Sequence, residues 1–361
     1  MKTQIIIRLF LSFVLLTQST AAFETDQYNL PPAPLADIGD EVTQYVETNV
    51  KKAFENLNKE ISARQLCLEA GGKFAKIKCD SPDKEREKLA QLRAPQAVAR
   101  EVYNLLGTGI PPLTNSGSWM ESHHFKHAPA RYKTKFCDSI FLTFPTDFIG
   151  LSSTVKLYGA QFGTDKIAHF FQQGYSYYKI YNRALAEGST PGEAARKAVK
   201  WGQKTERTIY GTLISGVYSN ADLFANYAGM KFYLGLARPI KIGEFERPAA
   251  LILKNGLWEF NNNYTPQNLI KPFISNHLNE AFNPSIFTKM FGLHLFVRRV
   301  VKKQSCKQWL QQFPNISAVE LEKTSLNLKL WNGEDYGFTE SENFITIANT
   351  CFDNDSFISS D

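Results

Sequence analysis

The chain has 361 residues, 43% of them hydrophobic and 21% charged, with a formal net charge of +6 at pH 7. That length is enough to bury a sizeable core, in one large domain or two ordinary ones. The mild basic excess is no case for nucleic acid, and beyond the first 22 residues no apolar run is long enough to span a membrane.

Residues 1–22 read as a secretory signal peptide. Lys2 and Arg8 supply the positive start, Leu9 to Leu16 the apolar core, and Ser19-Thr20-Ala21-Ala22 the small-residue cleavage region. Cleavage after Ala22 takes the net charge from +6 to +4, and the junction carries no cysteine for a lipid anchor. The expectation is a soluble exported protein, periplasmic or secreted. All five cysteines lie beyond this segment. In an oxidising compartment Cys67 and Cys79 are expected to pair across a Gly71-Gly72 turn, with Cys306 and Cys351 as a second pair. Cys137 is left over, most simply as a small buried side chain.

Residues 23–36, with three prolines, read as an extended mature N-terminus. From Asp37 to Asn58 the apolar residues Ile38, Val42, Tyr45, Val46, Val50, Phe54 and Leu57 recur at three- and four-residue steps, the period of an amphipathic helix. A second, charged helix is predicted over Asp83 to Leu106, with a break at Pro95. Gly107 to Pro112 ends it, and a loop-rich connection follows over 113–146.

The stretch 147–237 reads as three helices. Thr164 can cap the first, Thr190-Pro191-Gly192-Glu193 forms a capping box with proline at the first helical position, and Ser219 to Asp222 repeats the box spacing. Beyond Arg238, prolines cut the chain into short pieces, with a helix predicted over Phe287 to Lys303. The alternation in Ser325-Leu326-Asn327-Leu328-Lys329-Leu330 suggests a short β-hairpin. The expected fold is mainly α: a helical bundle core at 147–237, an N-terminal helical segment at 23–112, and an irregular region at 238–361.

Between Gly163 and Gly229, acids, a histidine and an asparagine recur among aromatic residues. Asp165, His169 and Gln172 share a helix face, and a carboxylate one turn before an imidazole can orient it. With Glu206 or Asp222 the same pair can ligate a cation. The plainer readings are that Asp165 complements the helix dipole, Asp222 completes the Ser219 cap, Glu206 is a surface charge and His169 is a hydrogen-bonded structural residue.

The ordered set Asp165-Lys166-x-x-His169-Phe170, then Glu206, then Ser219-x-x-Asp222-x-x-x-Asn226-x-x-Gly229 resembles the signature of VanZ-like proteins and of small related envelope proteins. The resemblance covers about 70 residues and implies a shared helical core with a polar pocket formed by Asp165, Lys166, His169, Glu206, Asp222 and Asn226. VanZ-like proteins span membranes several times, whereas these helices carry Gln172, Gln173, Tyr175, Tyr177, Tyr178, Lys179 and Tyr181, and Ile209 stands three residues after Glu206 where the family has glutamine.

Elsewhere, Glu121 to His127 holds three of the six histidines. His123 and His127 are four apart, a metal-binding spacing if the segment is helical, and a solvent-exposed cluster otherwise. Phosphate-loop, dinucleotide and nucleophile-elbow motifs are missing from the sequence. Basic residues at Lys200, Lys204, Arg207, Arg298, Arg299, Lys302 and Lys303 can meet anionic lipid or glycan, or simply form solvated helix faces. Two functional readings follow. In the first, an exported envelope protein binds a lipid or cell-wall ligand between the 164–182 and 220–236 helices, with Tyr175, Tyr178, Tyr227 and Tyr233 as an aromatic wall or as core. In the second, a hydrolase uses Asp165, His169, Glu206 and Asp222 to hold a divalent cation, or His169 as general base oriented by Asp165.

Overall fold

The computed structural model describes residues 24–69, 79–110, 113–144, 150–208, 211–213 and 215–352. The signal segment and the Gly71-Gly72 turn lie outside the described residues. The fold is mainly α with small antiparallel sheets. Among the described residues no helix is long and apolar enough to cross a membrane.

The amphipathic period beginning at Ile38 produces α1 (Gly39–Glu69), which runs past the predicted end. Val42, Val46, Val50, Ala53, Leu57 and Ile61 form its buried stripe. The charged stretch divides at Pro95 as expected, into α2 (Pro82–Leu92) and α3 (Pro95–Leu106), because proline is compatible with a first turn but not with a helix interior. Cys67 and Cys79 are bonded, tying the end of α1 to the start of the α2 segment, and so are Cys306 and Cys351. Both pairs suit an oxidising compartment. Cys137 is exposed, which corrects the expectation of a buried thiol.

The connection after α3 contains the short helix α4 (Asn115–Ser122), capped by Thr114. A three-stranded sheet then follows: β1 (Arg131–Tyr132), β2 (Thr154–Leu157) and β3 (Ala160–Gly163), with β2 in the middle. β3 leads straight into α5 (Thr164–Ala168), a π-helical turn His169–Gln173, and α6 (Gly174–Ala186). Gly163, not Thr164, occupies the N-cap. α7 (Pro191–Glu206) opens with the predicted Thr190–Glu193 capping box.

A second sheet sets β5 (Ser285–Phe287) between β4 (Val217–Ser219) and β6 (Phe344–Ile345). From β4 the chain enters α8 (Asn220–Ala237), in which 16 of 18 residues are buried, so it is enclosed on every side. Its crossing with α6 is closer than side chains permit. A Cβ on Gly174 would stand 2.6 Å from Gly229 Cα, and a Cβ on Gly229 would strike the Phe170 carbonyl.

In the C-terminal region Phe287 is strand, and helix begins only at α9 (Leu293–Val300), because Phe291 and Gly292 turn the chain with positive φ. A π-helical turn Val301–Ser305 joins α9 to α10 (Cys306–Gln312). The predicted hairpin near residue 325 is instead α11 (Ala318–Asn327). A Ser317–Glu320 capping box starts that helix, and the alternating leucines do not share one face: Leu328 is buried while Leu326 and Leu330 are exposed. Two hydrophobic clusters fill the interior, and both draw residues from either side of position 238. The N-terminal stretch 24–31 is extended but buried, with Tyr28 in the second cluster.

Candidate functional site

Two strand-to-helix junctions meet at the centre of the molecule. β3 ends where α5 begins, so Asp165 and Lys166 occupy an opening turn. β4 ends where α8 begins, and there the Ser219 hydroxyl accepts the Asp222 N–H at 3.2 Å. The Lys166 ammonium, fully buried, lies 2.6 Å from each of Asp165 Oδ2, Asp222 Oδ1 and Glu280 Oε1, and 3.9 Å from Glu24 Oε2. A lysine is rarely found this deep unless acids surround it.

The second layer holds the acids in place. Thr25 Oγ1 donates to Asp165 Oδ1 at 2.5 Å, and Ser219 Oγ donates to Glu280 Oε1 at 2.6 Å. The Ser219 N–H donates to Glu206 Oε1 at 3.2 Å, so Glu206 joins the group through Ser219 and is buried, not a surface charge. His169 stands at the edge. Its Nδ1 is 3.2 Å from Asn226 Oδ1, its Nε2 is 3.7 Å from Asp222 Oδ1, and at 7% it is the most exposed of the group.

Of the residues singled out in the sequence, Asp165, Lys166, His169, Glu206, Asp222 and Asn226 are thus brought together. Gln172 is not: the π-helical turn inserts a residue after Ala168 and shifts the register, and Gln172 donates to the Gly109 carbonyl at 2.8 Å. Sequence reasoning missed Glu24 and Glu280, which arrive from the buried N-terminal stretch and from the turn before β5. The only hint of them was Lys166 itself, a cation placed among aromatics with too few acids nearby in sequence.

Five carboxylates, from Glu24, Asp165, Glu206, Asp222 and Glu280, face one lysine in a region closed to solvent. Burial pushes the Glu24 and Glu206 carboxyls well above the ordinary range, helped by their acidic neighbours and opposed at Glu24 by Lys166. Burial likewise raises Glu280, to about 7. For Lys166 burial acts to lower the pKa, but Asp165, Asp222, Glu280 and Glu24 together override it, and the ammonium is held well above its usual value. Oε2 of Glu24, Oδ2 of Asp222 and Oε2 of Glu280 accept no hydrogen bond among the described residues, while Asp222 Oδ1 meets the Lys166 ammonium as an ion pair. Glu24, Asp222 and Glu280 each offer an oxygen within 4.8 Å of the others.

The space expected between the 164–182 and 220–236 helices is closed. Their backbones touch at Gly174 and Gly229, Tyr175 and Tyr178 pack against Tyr233, and the Tyr227 hydroxyl donates to Glu334 at 2.5 Å. The four tyrosines are core, not a ligand wall. His123 and His127 do not share a helix face either, because α4 stops at Ser122. His123 stacks on Trp119 and lies 3.7 Å from Glu41, while His127 is exposed. No protein-family model matches the chain, and no curated protein or solved structure matches it.

Proposed function

We propose that this is an exported cell-envelope protein, akin to VanZ-like proteins through its ordered motifs, whose buried centre binds a divalent cation between Glu24, Asp222 and Glu280. The observation that carries this reading is that Glu24, Asp222 and Glu280, all buried, each offer an oxygen within 4.8 Å of the others, while Oε2 of Glu24, Oδ2 of Asp222 and Oε2 of Glu280 accept no hydrogen bond among the described residues. Buried carboxylates without partners are costly, and a dication supplies the missing charge where one lysine does not suffice. An all-oxygen donor set selects hard cations such as Mg2+, Ca2+ or Mn2+. Asp165 and Lys166 then balance the site, and Asn226 orients His169 beside it.

Elemental analysis of the purified protein, followed by calorimetric titration of the chelator-treated protein with Mg2+, Ca2+ and Mn2+, tests this. One ion per chain is expected for the native protein, and none for Glu280→Gln with the fold retained. A metal-free protein whose melting is indifferent to both chelator and added cation would defeat the reading.

A second reading, hydrolysis, is favoured by the placement of His169. With Nδ1–H donating to Asn226, Nε2 keeps its lone pair next to Asp222, at the least buried edge of the centre. In this reading His169 takes a proton from water. Screening ester and phosphodiester substrates with the native protein and His169→Ala decides it: activity that survives the substitution rules out His169 as the base.

A further inference from the structure

The segment from Lys289 to Gln312 contains no acidic residue but six basic ones, Lys289, Arg298, Arg299, Lys302, Lys303 and Lys307. All six are exposed. None of their side chains makes a hydrogen bond or an ion pair among the described residues, in contrast to Lys166, Lys231 and Lys329, which are paired. This segment alone therefore carries a formal charge of +6.

That face is also apolar at one end. Phe291 is 61% exposed and Leu295 74%, with Met290 beside them. Phe291 projects from the turn just before α9, Leu295 lies in the first turn of that helix, and Arg298, Arg299 and Lys302 follow Leu295 at three- and four-residue steps along α9 and its π-helical extension. Phe291 is held at φ 54°, a left-handed conformation that a bulky side chain rarely adopts, next to Gly292 at φ 70°. The edge of its ring meets Phe144, and the rest faces outward. The opposite side of the segment is anchored: Leu293, Val297, Val301 and Trp309 are buried, and Cys306 is bonded to Cys351.

We infer that this face docks onto an anionic phospholipid bilayer. A rigid helical platform with several unpaired cations and a few projecting apolar side chains matches what a charged interface offers: phosphates for the guanidinium and ammonium groups, and the boundary of the acyl region for Phe291 and Leu295. A soluble polyanion would engage the cations but leaves Phe291 and Leu295 with nothing to enter. This surface is separate from the cation site, and either can be wrong without the other.

The test is co-sedimentation of the purified mature protein with vesicles of phosphatidylglycerol and phosphatidylethanolamine, compared with vesicles of phosphatidylcholine alone. Binding to the anionic vesicles only is expected, weakening by about tenfold or more when salt is raised to several tenths molar. Charge reversal in Arg298→Glu/Arg299→Glu/Lys302→Glu should abolish it. Phe291→Ser/Leu295→Ser, which leaves every charge in place, should weaken it by about tenfold. The inference is overturned by absence of binding, by equal binding to both vesicle types, or by charge reversal without effect. It is equally overturned if Phe291→Ser/Leu295→Ser binds like the native protein, which would assign the face to a soluble polyanion. Should the triple variant misfold, the lipid comparison and the salt dependence of the native protein still decide.

Discussion

The molecule handles charge in two opposite ways. At its centre, five carboxylates from five separate stretches of chain converge on Lys166 and are shut away from water. Along the segment from Lys289 to Lys307, four of them on α9 and its extension, six cations from one continuous stretch stand in water with no acid to meet them among the described residues. The buried group is assembled by tertiary structure and so depends on the fold. The exposed group is local in sequence, and the fold does little more than hold it outward. Substitutions in the first should therefore register as stability, and substitutions in the second as binding.

The largest effect is expected from Lys166→Met. Removing the one full positive charge leaves Asp165, Asp222 and Glu280 facing one another in a closed interior, and breaking a buried ion pair from one side typically costs about 3–5 kcal/mol. Lys302→Met on the outer face should stay within about 0.5 kcal/mol. Chemical denaturation of the two variants side by side measures the contrast. A similar small loss for both would mean that the central acids are held neutral and that Lys166 is not what balances them.

Gly229→Ala should come next, because the new methyl meets the Phe170 carbonyl at the α6–α8 crossing. Overpacking of this kind costs about 1–3 kcal/mol. It should also displace the π-helical turn that sets His169 against Asn226 and Asp222, so cation affinity is expected to fall along with the melting temperature. Unchanged affinity in a destabilised Gly229→Ala would separate the crossing from the site.

How much of this was legible in the sequence follows the same division. The stripe of α1, the break at Pro95, the Thr190–Glu193 and Ser219 caps and the Cys67–Cys79 pairing are short-range signals, and the structure carries all of them, together with the longer Cys306–Cys351 pairing. Six members of the central group were visible because they recur at helical spacing within 70 residues. Glu24 and Glu280 were not, because nothing in their own neighbourhoods marks them; only Lys166 does, from more than a hundred residues away. The inter-helix pocket failed for a related reason. Gly174 and Gly229 are where two backbones touch, a contact between segments 55 residues apart that neither segment marks on its own. Residues 325–330 alternate like a strand, but the capping box at Ser317 starts a helix before the alternation can act.

The buried centre should also make stability depend on pH. In the folded chain burial raises the Glu280 carboxyl to about 7, against 4.5 in an ordinary environment, and Glu24 and Glu206 move in the same direction. Between those two values the folded state holds more protons than the unfolded one, so stability present below pH 4.5 is lost as pH rises through 7. Melting in chelator should show this decline, and Glu280→Gln should flatten it. Saturating divalent cation should remove it in the native protein, since the ion takes the place of the protons. A melting temperature that rises from pH 5 to 7 in chelator would contradict the arrangement of the centre.

The smallest expected change in stability is the most diagnostic for the outer face. Arg298 and Lys302 are four apart on the helical segment, as are Arg299 and Lys303, and like charges at that spacing destabilise a helix by about 0.2–0.5 kcal/mol a pair. Arg299→Glu turns one such repulsion into an attraction with Glu on the N-terminal side of Lys, the favourable order. If the face were only a solvated surface, this substitution would be a gain of about 0.5 kcal/mol with no accompanying loss. If the cations are kept for a bilayer, the same variant should melt at the same or a slightly higher temperature while its binding to anionic vesicles falls, because stability was forgone to keep the charges together. Thermal melting and vesicle co-sedimentation on Arg299→Glu distinguish the two. A variant that melts higher and binds as well as the native chain would show that the cations of α9 are surplus.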